Sequence, residues 1–295
     1  MISASLVKEL REKTGAGMMD CKKALEATEG DIAAAIDWLR EKGIAKAAKK
    51  SDRIAAEGLT RLLVEGNRAV VVEVNSETDF VAKNEQFLSL LDTVAHTILA
   101  GAPSTLEDAL ALPVNGVTLN DLIVEATATI GEKISLRRFE VISKNDDESF
   151  GGYMHNGGRI SAVAVVKGDH LEVAKDVAMQ VASMSPTYIS RNHMPAEVVE
   201  KERNFQWEII KNDEAINSKP EKVLAGILEG RLSKSLQDMC LVDQIFFKNQ
   251  DIKVGQYLKG AGSETVTFVR YAVGEGIEKK VDNFVEEVMN QSFGK

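Results

Sequence analysis

The residues of this 295-residue chain that could do chemistry are few and poorly grouped. His96, His155, His170 and His193 are scattered, and no phosphate loop, Gly-x-Ser-x-Gly elbow or spaced metal-ligand set accompanies them. Cys21 and Cys240 stand far apart and outside any Cys-x-x-Cys pair, so neither a zinc site nor a disulfide framework is expected. Gly151-Gly152 and Gly157-Gly158 flank Tyr153-Met154-His155-Asn156, but hairpin turns account for them without a phosphate. The remaining candidate is a pair, Asp79-Phe80, between an apolar β-branched run and a long amphipathic stretch. A large aromatic beside a carboxylate at the tip of a strand-to-helix turn can be offered to another protein. The plainer alternative makes Phe80 a core or helix-staple residue and Asp79 a cap.

The elements that must position this pair follow from hydrophobic periodicity. Residues 70–74 read as a strand that the polar cluster 75–79 ends, and Thr78 or Asp79 is the expected N-cap of the next helix. That helix carries Phe87, Leu88, Leu91, Val94, Ile98 and Leu99 at helical spacing and stops at Pro103. Upstream, residues 59–64 pair with 69–74 across Glu65-Gly66-Asn67. Downstream come a helix over 119–130, Gly131, and a closing strand over 134–142.

The same order recurs. A hairpin over 149–154 and 159–166 turns at Asn156-Gly157-Gly158, a helix covers 171–182, and a late strand covers 265–273. Between them, Val198, Val199, Phe205, Ile209 and Ile210 precede Ser218-Lys219-Pro220. Val223, Leu224, Ile227, Leu228, Arg231 and Leu232 follow it, as an antiparallel helical hairpin requires. A final helix is expected over 277–289.

Three short helices open the chain over residues 3–42, with Ser3 or Ser5 capping the first, a stop at Thr14-Gly15-Ala16-Gly17, and Asp31 capping the third. Met18 and Met19 start the second. Adjacent helical residues diverge by about 100°, so both cannot enter one small core, and at least one is expected at the surface. Lys22 and Lys23 read as a solvated face, and residues 44–55 as a basic linker, helical or fraying.

The expected class is α+β. It comprises a three-helix domain (1–43), the linker (44–55), two related subdomains with antiparallel sheets (56–142 and 143–275), and a C-terminal helical module (276–295). The helical hairpin, a coiled coil, is inserted at about residues 190–237. Forty-five acidic against 36 basic residues give a net charge of -9, which argues against general binding to nucleic acid or anionic membranes. The N-terminus is too mixed in charge for a signal peptide, and no run approaches the ~18 apolar residues of a membrane span. A reduced, cytoplasmic protein is expected.

Two long motifs carry a family resemblance. The segment Leu10-Arg11-Glu12-Lys13-Thr14-Gly15-Ala16-Gly17-Met18-Met19-Asp20-Cys21-Lys22-Lys23-Ala24-Leu25 resembles the ubiquitin-associated-type domain that opens the translation elongation factor Ts family. Glu73-Val74-Asn75-Ser76-Glu77-Thr78-Asp79-Phe80-Val81-Ala82-Lys83-Asn84 is similar to that family's second signature. Tyr153-Met154-His155 and residues 269–279 extend the likeness over nearly the whole chain. The resemblance implies a guanine-nucleotide exchange factor, not an enzyme, whose partner is elongation factor Tu in its GDP-bound and nucleotide-free states. It implies no cofactor and no metal, and it admits a dimer or a two-plus-two complex with the GTPase.

By the family's pattern Thr78, Asp79, Phe80 and Val81 form the wedge that dislocates magnesium. Arg11, Met18, Met19 and Lys22 make further contacts, as do Ile130, Gly131 and His155. Two positions depart from the pattern: Ile245 stands where proline is common and Ser161 where glycine is frequent. Two other readings stay open: a non-catalytic adaptor whose three-helix domain binds a ubiquitin-like or helical ligand, and a phosphate-binding enzyme.

Overall fold

The computed structural model describes residues 2–278, so the helix expected over 277–289 lies almost wholly outside the described residues. The chain divides into two compact units. The described part of the first is residues 2–60, 72–139 and 272–278; the second is Arg61–Val71 with Glu140–Tyr271.

The first unit opens with α1 (Ala4–Thr14), α2 (Met18–Ala27) and α3 (Ile32–Ala48). Ser3 caps α1 by accepting the Leu6 N–H, Gly15 ends it in the left-handed conformation, and Asp31 caps α3 through the Ala34 N–H. Leu10, Cys21, Ala24, Leu25 and Ala35 form the buried core of the three helices. The third helix continues without a break through Ile44 to Ala48, because nothing in that alanine-rich stretch interrupts it. It packs on a later helix at Gly43, where an added Cβ would lie 3.1 Å from the Ala128 Cβ.

Strands β1 (Glu57–Glu65) and β2 (Arg68–Ser76) follow as a hairpin across Gly66-Asn67. Next are α4 (Glu85–Gly101), a one-turn α5 (Leu106–Leu110), the small hairpin of β3 (Pro113–Val114) and β4 (Val117–Thr118), and α6 (Leu119–Ile130). Then β5 (Ser135–Ser143) completes a sheet of order β1-β2-β5. Residues 57–60, 72–76 and 135–139 of that sheet belong to the first unit.

Two sequence expectations need correction here. Helix α4 starts later than expected, with Asn84 rather than Thr78 or Asp79 as its cap, because Val81–Lys83 first forms a separate 3-10 turn. Its buried stripe is Phe87, Leu90, Leu91, Val94, Ala95, Ile98 and Leu99, whereas Leu88 is 36% exposed. The short α5 and the β3/β4 hairpin were not expected at all; two-residue strands carry no readable period.

The second unit has β6 (Glu148–His155) paired antiparallel with β7 (Ile160–Lys167), from Glu148 opposite Lys167 to His155 opposite Ile160. Helix α7 (Leu171–Met184) lies on this hairpin so closely that a Cβ at Gly151 would sit 1.9 Å from the Ala174 carbonyl carbon. Strand β7 is buried on both faces. Ala162, Ala164 and Val166 meet Ala174, Val177, Ala178 and Val181, while Val163 and Val165 meet Ala69, Val71 and Phe150. That double burial explains an unbroken apolar run where a half-exposed strand would alternate.

After α7 come α8 (Ala196–Asn212), the single turn α9 (Glu214–Asn217) and α10 (Glu221–Met239), an antiparallel pair tied by Arg203 to Glu229 and by Ser235 Oγ to Glu202 at 2.6 Å. Ile210, Leu224 and Leu232 are buried in it, whereas Phe205 and Val223, placed on the seam by their spacing, are exposed. A second unexpected hairpin, β8 (Ile245–Phe246) with β9 (Asn249–Lys253), and α11 (Val254–Gly260) precede β10 (Thr265–Ala272). Buried Gln180 binds Gln244, the Ile245 carbonyl and the Phe247 N–H, so Ile245 sits in an amide-braced edge. The sheet order is β10-β7-β6, with the late strand beside the second hairpin strand, as in β1-β2-β5. The two α+β motifs therefore share one topology.

Candidate functional site

The candidate site is the corner between β2 and α4, and it is built on unusual polar ground. Strand β2 is buried over nearly its whole length, and Glu73 within it is fully buried. Its Oε1 accepts from Arg137 Nη1 (2.9 Å), Asn75 Nδ2 (3.2 Å) and the Gly274 N–H (2.8 Å), and its Oε2 from Arg138 Nε (2.6 Å). Burial pushes the Glu73 carboxyl up, but the Gly274 N–H and the two guanidinium groups outweigh it and hold the acid below its ordinary range. The end of β2 is thus anchored before the corner begins.

At the corner the backbone leaves the strand through Ser76, whose Oγ donates to the Thr78 carbonyl (2.9 Å). Glu132 holds Thr78 twice, taking its N–H at 3.0 Å and its hydroxyl at 2.7 Å. Thr78 Oγ1 accepts the Val81 N–H (3.4 Å), and the 3-10 turn follows. That turn repeats every three residues, so Ala82 points inward, 3% exposed, while Phe80 and Lys83 share the outer side. Phe80 is 80% exposed. Lys83 Nζ bonds Asp79 Oδ2 at 2.8 Å and lies 5.9 Å from the Phe80 ring centroid. Asp79 and Val81 are half-buried.

Of the other residues expected from the sequence, Ile130 and Gly131 directly precede Glu132, and Arg11, Met18, Met19 and Lys22 also belong to the first unit. Gly131 caps α6 in the left-handed conformation and gives its carbonyl to Lys50 Nζ; Ile130 before it is half-buried. The turn between α1 and α2 lies against both neighbours of the corner, for a Cβ at Gly15 would be 3.1 Å from Gln86 in the first turn of α4 and 3.5 Å from Thr129 near the end of α6. Met18 and Met19 begin α2 just beyond and are both exposed, 59% and 63%. Arg11, in the last turn of α1, and Lys22, paired with Glu26 at 3.8 Å, are exposed as well. His155 belongs to the second unit, exposed at the end of β6 with its Nδ1 3.1 Å from the Tyr153 hydroxyl.

Sequence reasoning missed the bracing residues Glu73, Glu132 and Lys133, the last of which gives its N–H to Glu77 Oε1 at 2.6 Å. A single carboxylate inside a valine run was a readable signal for Glu73; nothing local marked Glu132. Among the described residues no group of three metal-ligating side chains occurs, both cysteines are buried and outside any disulfide, and no helix is long and apolar enough to cross a membrane.

Fold and corner together define an α+β protein that carries a braced, outward-facing aromatic and carboxylate between strand and helix. A model of the family described as Elongation factor TS matches residues 77–275, more than half of the chain, and the chain belongs to that family. Membership makes it a nucleotide exchange factor of translation elongation and a partner of elongation factor Tu.

Proposed function

We propose that the chain binds elongation factor Tu in its GDP-bound and nucleotide-free states and speeds GDP release by inserting Asp79-Phe80 beside the bound magnesium and phosphates. The observation that carries this reading is the 80% exposure of Phe80 on a base that is itself hydrogen-bonded and half-buried. Exposing a phenylalanine to water is unfavourable unless a partner covers it, and magnesium compensates phosphate charge, so disturbing its ligands weakens the hold on nucleotide. No bond is made or broken, and the chain needs no metal or cofactor of its own.

One wedge is not enough. Covering a phenylalanine yields about 1.5–3 kcal/mol, whereas moving a two-state equilibrium from 1:99 to 99:1 takes about 5.5 kcal/mol. Thr78 and Val81 therefore flank the wedge, while Arg11, Met18, Met19 and Lys22 of the ubiquitin-associated-like helices, Ile130-Gly131 and His155 share the work. Exposed methionines suit such a surface because their side chains adapt to a partner. Coupling is reciprocal, so nucleotide in turn expels the factor. The site of action is the cytoplasm, where translation factors work, and neither a membrane nor nucleic acid is a direct partner. The α8–α10 pair is the family's coiled coil.

The test is release of a fluorescent GDP analogue from purified elongation factor Tu with excess unlabelled GDP. It is run with and without the chain and its Asp79→Ala/Phe80→Ala variant. Release that accelerates only with the intact pair supports the reading; no acceleration by the folded wild-type chain sinks it. Light scattering on the complex tells a one-to-one pair from a two-plus-two assembly.

A further inference from the structure

Residues 131–133, just past the end of α6, grip the chain on two sides. On one side Glu132 takes both the N–H and the hydroxyl of Thr78. On the other, Lys133 gives its own N–H to Glu77 Oε1 (2.6 Å) and its ammonium group to the carbonyls of Ser51 (2.6 Å) and Arg53 (2.9 Å). Arg53 closes the ring onto Glu77 at 3.3 Å, and Lys50 reaches the Gly131 carbonyl. The contacts made by residues 131–133 span 54 to 82 residues of sequence, so a three-residue segment ties together α6, the strand-to-helix corner and the stretch after α3.

We infer that Glu132 is a positioning residue for nucleotide exchange: it sets the direction in which Asp79-Phe80 projects. This rests on the reading of Asp79-Phe80 as the element that meets the GTPase. The two hydrogen bonds to Thr78 fix the residue just before the pair, and Thr78 Oγ1 fixes the residue just after it through the Val81 N–H. Phe80 is exposed at the surface, so the direction of its side chain is set mainly by the backbone that these bonds hold. A carboxylate accepting an N–H and an O–H together is a charge-assisted, two-point hold that a single neutral bond does not match. If freeing the corner leaves roughly one conformer in ten aimed correctly, the effective action of the wedge falls by that fraction.

The experiment uses the full chain and the GDP-release assay with elongation factor Tu, read as maximal stimulated rate and half-saturating concentration separately, with thermal midpoints alongside. Glu132→Ala is expected to lower the maximal rate about tenfold, equivalent to about 1.4 kcal/mol, with less than about a twofold change in half-saturation. Glu132→Gln is expected to recover most of the rate, since its carbonyl can accept the Thr78 N–H while its amide donates to Thr78 Oγ1. In the Phe80→Ala background, Glu132→Ala should cost nothing further, because the hold acts only through the pair. Thr78→Val, which keeps the backbone bond and loses the hydroxyl, should cost about threefold, and it carries the test if Glu132→Ala does not fold.

A normal maximal rate in Glu132→Ala beside a slow Phe80→Ala overturns the positioning role while leaving the wedge intact. Full additivity of the two, or a loss explained by a fallen thermal midpoint alone, overturns it also. A normal rate in Phe80→Ala overturns the wedge and the positioning role with it.

Discussion

Glu73→Gln is the substitution whose consequence the structure sets most tightly. The amide oxygen can take the place of Oε1 and keep the bonds from Arg137, Asn75 and Gly274, but the amide nitrogen then faces the Arg138 Nε–H, where Oε2 accepted at 2.6 Å. One charge-assisted bond is lost, and both guanidinium groups lose the Glu73 charge, with Arg138 keeping Glu275 at 3.5 Å. Breaking a buried ion pair costs about 3–5 kcal/mol. The arginine side chains are 25% and 30% exposed, so water compensates them in part, and the lower end, about 3 kcal/mol, applies. At a urea dependence of about 2 kcal/mol per molar, the midpoint should fall by roughly 1.5 M.

Trp38 in α3 belongs to the same unit as Glu73, so its fluorescence in a Trp207→Phe background follows that unit's unfolding. The pH dependence supplies a second arm. The folded-state pKa of Glu73 lies below the ordinary glutamate value of 4.5, so its stabilisation is complete above that value and is lost as pH falls through the folded pKa. The gap between wild type and Glu73→Gln should therefore be full at pH 7 and shrink below about pH 4.5. Equal midpoints at pH 7, or a gap that stays constant down to pH 3, would refute the assignment of that energy to the buried carboxylate.

Two further outcomes test the packing around the site and in the second unit. Gly274→Ala should destabilise the first unit by more than about 1 kcal/mol in the same urea assay, because the residue lies at φ 71° and the new Cβ would meet the Ala56 carbonyl oxygen at 2.2 Å. In the second unit Tyr257 stacks on Phe246 at 4.2 Å and donates its hydroxyl to Asp176 at 2.8 Å. Burial and then that carboxylate push its pKa up to about 12, so ultraviolet titration should show a tyrosine that ionises near that pH, and Asp176→Asn should bring its ionisation earlier.

Much of this protein was legible as linear text. Residues 119–130 announced α6 by their spacing and the glycine after them, and the double valine-rich hairpin announced both sheets, because periodicity and turn chemistry are local properties. The signature from Glu73 to Asn84 marked the corner. Its cap was misplaced, since Thr78 and Asp79 are good capping residues by type and only the bonds from Glu132 commit Thr78 elsewhere. The shortest strands were invisible for want of residues to repeat.

What the amino-acid order alone determined is therefore most of the longer elements, the α+β class and the identity of the Asp79-Phe80 pair, all written within windows of a dozen residues. What only the tertiary structure decided is that Phe80 faces solvent, that both Met18 and Met19 do, and that Glu73, Glu132 and Lys133 hold the ground beneath the corner. Exposure and ion pairing depend on what the chain brings back from 50 to 200 residues away, as Arg138 and Gly274 are brought to Glu73, and no local pattern carries that information.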